Sequence, residues 1–132
     1  MEGKYITNDI SLPLNKLIIF LNKASNEIEK IIPGTRIYFF GHLGDGNIHF
    51  NMIEPKNFQK DFNMYREEIY DLVNKLVLKN KGSFSAEHGI GMIKKNSLKK
   101  FKSYNEMQVM KNIKKSLDIK NILNPGKIFD LD

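Results

Sequence analysis

Apolar residues recur first at the spacing of a helix, then in alternation, then at helical spacing again. Tyr5, Ile6 and Thr7 mark a short extended segment over Lys4 to Asp9. Ser11-Leu12-Pro13 has the chemistry of a helix start, since proline suits the first helical turn. Leu14, Leu17, Ile18, Leu21, Ile28, Ile31 and Ile32 then recur mostly at three- and four-residue steps, which predicts one apolar stripe on a long helix. Pro33-Gly34 stops it.

From Arg36 the period changes to two, through Ile37, Tyr38, Phe39 and Phe40, which predicts a strand. Asp45-Gly46 is a two-residue hairpin signal, because a type I′ turn needs positive φ at both positions. A second strand follows over Asn47 to Ile53, and Pro55 ends it. Phe58, Phe62, Tyr65, Ile69, Leu72, Val73 and Leu76 predict a second amphipathic helix, stopped at Lys81-Gly82 and followed by a short closing strand at Ser83 to Ser85. Strand, helix, strand, strand, helix, strand is the order of a ferredoxin-like α+β fold, an antiparallel sheet with two helices on one face. Beyond Asn96 a helical tail is expected, its last helix carrying Met107, Met110, Ile113 and Leu117, and the chain closes through Asn124-Pro125-Gly126.

At 132 residues the chain has the size of a single domain spanning 1–132. The absence of cysteine removes disulfides, thiolate metal sites and thiol nucleophiles, leaving His, Asp, Glu, Ser and Lys for chemistry. With no apolar leader at Met1-Glu2-Gly3-Lys4 and no apolar run long enough to span a bilayer, a soluble, cytoplasmic protein is expected. The net charge of +6 has a denser basic patch at Lys94, Lys95, Lys99, Lys100 and Lys102. No nucleic-acid module accompanies it, so a solvated basic face is preferred to a polyanion site.

A two-residue turn at Asp45-Gly46 would set His42 opposite His49, with Cβ atoms about 5 Å apart on one face. Alternation then divides the hairpin. Tyr38, Phe40, His42, Asn47, His49 and Asn51 share one face, while Ile37, Phe39, Ile48, Phe50 and Met52 form the core face. The second cluster, Ser85-Ala86-Glu87-His88-Gly89-Ile90-Gly91, sets a carboxylate and an imidazole beside glycines that permit close backbone approach. Two His and one Glu make a metal set of catalytic type, which leaves a position open for water or substrate, with His88 beside it as a base. Each residue also has a structural reading. His42 and His49 can be ordinary strand histidines, Glu87 a surface carboxylate and Asn51 a solvent-facing amide, and Asp45 is accounted for by its turn.

Gly41 to His49, Ser85 to Gly91 and Leu123-Asn124-Pro125-Gly126-Lys127 resemble, in order, the signatures of the C-terminal domain of FAD-linked oxidases, a family that includes D-lactate, D-2-hydroxyglutarate and glycolate dehydrogenases. The resemblance begins at Asp9-Ile10-Ser11-Leu12-Pro13 and covers nearly the whole chain. It implies His42, His49 and Glu87 as ligands of a divalent metal, often zinc, with His88 as general base, Asn51 in contact with substrate and Asn124 close to the flavin. It implies a 2-hydroxy acid as substrate, with hydride passing to FAD.

Three departures qualify the resemblance. Thr7 stands where some members carry a lysine, and these 132 residues hold no counterpart of the flavin-binding domain or of the upstream part of the substrate domain that supplies an Arg to the substrate carboxylate. The expectation is a fragment or subunit that is inactive alone, pairs with a separate flavin-domain chain, and can self-associate through its aromatic face. The alternative is a small metal- or anion-binding module without redox activity.

Overall fold

The computed structural model describes residues 3–131. Met1 and Glu2, read above as part of a segment with no apolar leader, lie outside the described residues, as does Asp132. The chain divides into two compact units, Met1–Glu87 and His88–Asp132. In the first unit the order is β1 (Tyr5–Ser11), α1 (Leu14–Ile31), β2 (Arg36–His42), β3 (Asn47–Ile53) and α2 (Arg66–Lys79). β3 is central and antiparallel to both neighbours, so β1 and β2 run parallel and are joined through α1.

The unit is therefore an α+β fold on a small antiparallel sheet. The expected fourth strand is present only as a single bridge between Ser11 and Ser83, whose backbones exchange two hydrogen bonds of 2.9 Å. Past Ser83 the backbone donors turn to side chains instead of extending a ladder: Ser85 N–H donates to Ser83 Oγ at 3.3 Å and Ala86 N–H to Asp9 Oδ2 at 3.1 Å.

The core follows from alternation on β1 and β3. Ile6, Ile10, Ile48, Phe50 and Met52 cluster with Leu17, Phe20, Leu21, Ala24 and Ile28 of α1 and with Ile69, Val73 and Val77 of α2. Phe20 meets Phe50 edge to face at 5.5 Å. Removing each of the larger side chains, Ala24 aside, from water stabilises the fold by roughly 1.5–3 kcal/mol. The stripe on α1 is rotated from the one expected, with Phe20 and Ala24 buried while Leu14 and Ile18 are exposed. Ile18 sits about 100° around the helix from Leu17, outside the arc that 17, 20, 21, 24 and 28 share. Phe39, expected in the core, is 51% exposed, because β2 is an edge strand and only Ile37 of it packs against the cluster. The second helix is shorter than expected at its start: a 3-10 turn at Phe62–Tyr65 precedes α2, and Asp61 accepts a hydrogen bond from Asn63 N–H there.

The hairpin differs from the expected one in a way that bears on the site. Only Gly46 takes positive φ (68°), while Leu43–Asp45 form a 3-10 turn, so the loop has four residues and His42 pairs with Asn47, not with His49. His49 pairs with Phe40. This shift of register is two residues, so every side chain keeps its expected face.

In the second unit, α3 (Lys95–Phe101) and α4 (Tyr104–Leu117) form the expected helical tail. Ser103 and Glu106 make a reciprocal capping box at the start of α4. At its end, Asp118 accepts from Lys114 and from the backbone N–H groups of Ile122 and Leu123, which fixes the chain as it leaves the helix.

The Gly46 carbonyl accepts a hydrogen bond from Leu12 N–H at 2.9 Å, and a Cβ on Gly46 would stand 2.0 Å from Leu12 O. Gly46→Ala is expected to destabilise the first unit by roughly 2 kcal/mol or more, read as a lower urea midpoint. Ser103→Ala is expected to cost about 1 kcal/mol of helix stability. Hydrogen bonds from Lys102, then from Ser103, lower the Glu106 pKa from 4.5 to about 2. A carboxylate whose folded pKa lies below its unfolded value stabilises fully above the unfolded value. Helicity of α4 followed by circular dichroism should therefore weaken as pH falls from 4.5 toward 2, and this loss should be smaller in Glu106→Gln.

Candidate metal centre

The sheet face opposite the core carries three rows of paired side chains. Ser11, Asn47 and His42 form one row, Asp9, His49 and Phe40 the next, and Thr7, Asn51 and Tyr38 the third. Phe40 leans on the His49 ring at 5.1 Å between centroids and stacks with Tyr38 at 6.4 Å, so an aromatic wall borders the imidazole on the β2 side. On the β1 side an Asp9 carboxylate oxygen and a His49 ring nitrogen lie within 4.8 Å of each other.

Glu87 reaches this face from the segment after the Ser83 bridge. Its Oε1 lies 3.2 Å from His42 Nδ1 and its Oε2 lies 3.8 Å from His49 Nε2, so one carboxylate spans the two imidazoles. Asn47 Nδ2 donates to Glu87 Oε1. The backbone of the same residue is tied from below: Glu87 N–H donates to both oxygens of Asp9, at 3.2 and 3.0 Å. His42, His49 and Glu87 are thus brought together, although by a register other than the one expected. The arrangement is a His, Asp and Glu cluster with the oxygen and nitrogen donors that divalent cations take.

Asn51 lies on the same face and is 4% exposed, and its Oδ1, like the Oδ1 of Asn47, is buried without a hydrogen-bond partner. Buried acceptors left in this way cost free energy, and they mark positions where a bound group would supply the missing contact. His88 begins the second unit and follows Glu87 directly, so covalent geometry keeps their Cα atoms about 3.8 Å apart. Asn124 belongs to the second unit, where it has φ 49° in the turn that Lys127 N–H closes on its carbonyl at 3.3 Å. Asp45 is part of the hairpin turn, as its sequence context implied.

Asp9 and Asn47 were not singled out as functional by their sequence context, although the structure gives both a hold on Glu87. The signal was present for Asp9: a carboxylate between Asn8 and Ile10 in a strand, two residues from Thr7, falls on the polar face of β1. The basic patch lies in the second unit, where Lys95, Lys99, Lys102 and Lys111 line a cleft of about 670 Å³ with Tyr104 and Met107. Lys95 pairs with Asp130 at 2.6 Å and Lys102 with Glu106 at 2.8 Å, so part of that charge is balanced within the unit.

Residues 1–128 match the family described as FAD linked oxidases, C-terminal domain. A D-2-hydroxyglutarate dehydrogenase of Stutzerimonas stutzeri is 40% identical over 123 residues, which cover 92% of this chain and 26% of the relative. One from Xanthomonas citri is 36% identical over 124 residues, 93% of this chain and 26% of the relative. A yeast relative, from Kluyveromyces lactis, is named D-lactate dehydrogenase [cytochrome], mitochondrial, and is 32% identical over 126 residues, 96% of this chain and 21% of the relative. The chain spans about a quarter of the length of the first two.

One expectation is overturned by these relatives. The D-2-hydroxyglutarate dehydrogenases of Oryza sativa, Arabidopsis thaliana and Danio rerio are mitochondrial by name, which conflicts with a cytoplasmic assignment. Lack of cysteine, and the finding that no helix among the described residues is long and apolar enough to cross a membrane, bear on redox chemistry and hydropathy and not on compartment. With the motifs in order along the chain and the match running from residue 1 to 128, the chain belongs to the family of FAD-linked oxidase C-terminal domains.

Proposed function

We propose that residues 1–132 act as one metal- and substrate-binding part of a flavin-dependent 2-hydroxy-acid dehydrogenase, completed by a flavin-binding portion of its own or a separate chain. The observation that carries this reading is the convergence of His42 and His49 on the two oxygens of Glu87, on the sheet face that bears a buried, unpartnered Asn51 Oδ1. The donor set fits a divalent cation, zinc first, since two imidazoles and a carboxylate are one of the three-ligand sets zinc takes in catalytic sites. His42, His49 and Glu87 would hold it. When bound, the cation supplies a Lewis acid that lowers the pKa of a substrate hydroxyl, and FAD supplies the hydride acceptor.

The remaining roles fall to this chain's own groups. Asn51 donates or accepts a hydrogen bond to the substrate. His88 takes the hydroxyl proton on an imidazole nitrogen. Phe40 and Tyr38 shield the His49 side of the site from water. Asn124, in its tight turn, approaches the flavin edge.

Calorimetric titration of the chain with zinc is expected to show one site per chain, weakened at least tenfold in His49→Ala and in Glu87→Ala. Equal affinity in all three proteins would overturn the metal reading. The 132 residues alone are expected to be colourless and not to reduce a dye with any 2-hydroxy acid. Mixed with a flavin-binding portion, they should reduce it with D-2-hydroxyglutarate or D-lactate, and His88→Ala should lower that rate by two to four powers of ten, about the size of a general-base contribution. Zinc binding without dye reduction in the mixture would favour the metal-binding module without redox activity.

A further inference from the structure

We propose that Asp9 is a positioning residue for the metal centre, holding Glu87 in the orientation that lets its carboxylate meet His42 and His49. This rests on the metal reading above. Three observations support it. Asp9 is 4% exposed, and such a buried carboxylate is costly unless donors surround it. Two consecutive backbone N–H groups, of Ala86 and Glu87, donate to it at 3.0 to 3.2 Å across 77 and 78 residues of sequence. Asp9 is also the strand partner of His49.

The consequence is a two-point hold on one residue. The backbone of Glu87 is fixed by Asp9 on β1, while its side chain is fixed by Asn47 on β3. The orientation of Asn47 is set by this contact, because a carboxylate only accepts and so must face the amide nitrogen. The segment beyond the Ser11–Ser83 bridge has no strand ladder to define it, so these contacts do what a fourth strand would have done. A ligand held at both ends loses less freedom when a metal arrives, and groups that orient ligands in this way commonly alter metal affinity by 10- to 100-fold, on the order of that range here.

Two measurements on the 132-residue chain separate this role from its rivals: amide hydrogen exchange at Ala86 and Glu87 by NMR, and zinc affinity by calorimetry. In Asp9→Ala, both amides should exchange at least tenfold faster while the Phe50 amide in the central strand is unchanged, and zinc affinity should fall roughly 10- to 100-fold. Asp9→Asn retains one acceptor oxygen, so it should keep most of the amide protection and most of the affinity, and it serves if Asp9→Ala does not fold. Glu87→Ala should lose zinc affinity yet leave Ala86 protected, because the anchor acts through the backbone. Unchanged protection in Asp9→Ala overturns the proposal. So does a loss of all zinc binding in Asp9→Asn with protection intact, which would make Asp9 a direct ligand. If the parent chain takes up no zinc, the metal reading falls by itself, and the exchange result alone decides whether Asp9 anchors Glu87.

Discussion

β3 is hydrogen-bonded along both edges, and its two faces carry opposite chemistry. Ile48, Phe50 and Met52 are buried in the core, while Asn47, His49 and Asn51 point to the other side. A strand paired on both sides cannot slip by one residue without burying three polar side chains and exposing three apolar ones. That constraint fixes which residues of β1 and β2 stand beside His49, and so defines the surroundings of the candidate site. Asp9 and Phe40 are its neighbours for this reason, one supplying charge and the other an aromatic surface.

The hairpin loop and the segment after Ser83 both deviate from regular sheet structure, and both deviations serve the same place. A four-residue loop displaces His42 by one pairing step from His49, toward the end of the sheet, where it meets the Oε1 side of Glu87. A tight two-residue turn would have put both imidazoles at one level, with less room for a carboxylate between them. Beyond Ser83, chain that does not pair as a strand is free to bend over the sheet, and Asp9 captures it through two backbone donors. Irregular backbone here is what brings a residue from late in the unit onto a face built from its first half.

The face is polar where it is buried and aromatic where it is open. Asn47 and Asn51 are almost fully covered, whereas Phe40 is 58% exposed. The unpartnered amide oxygens of Asn47 and Asn51 thus lie on the same face as an exposed aromatic rim. On the edge strand β2, Tyr38, Phe39 and Phe40 are all exposed, Tyr38 and Phe40 on this face and Phe39 on the other.

Much of this could be read from residue order. The change of period from helical to alternating at Arg36 located the sheet, and alternation assigned the two faces of β3 correctly because both are strongly patterned. His42, His49 and Glu87 stood out because the only histidines of the chain fall in two short motifs. The exact partner of His49 was not legible, because Asp45-Gly46 suits more than one turn and the choice depended on Gly46 alone taking positive φ while Leu43 to Asp45 wound into a 3-10 turn. Nor was the exposure of Phe39 or Ile18 legible, since both follow from which side of a strand or helix the rest of the core reaches. The role of Asp9 was hidden for the same reason: its partners are 77 and 78 residues away, and only tertiary folding brings their backbone donors to its carboxylate. Local sequence thus determined the elements, their faces and the chemistry on offer, because these depend on periodicity and side-chain type. Tertiary structure decided register, coverage and the hold on Glu87, because those depend on contacts between segments that no local pattern specifies.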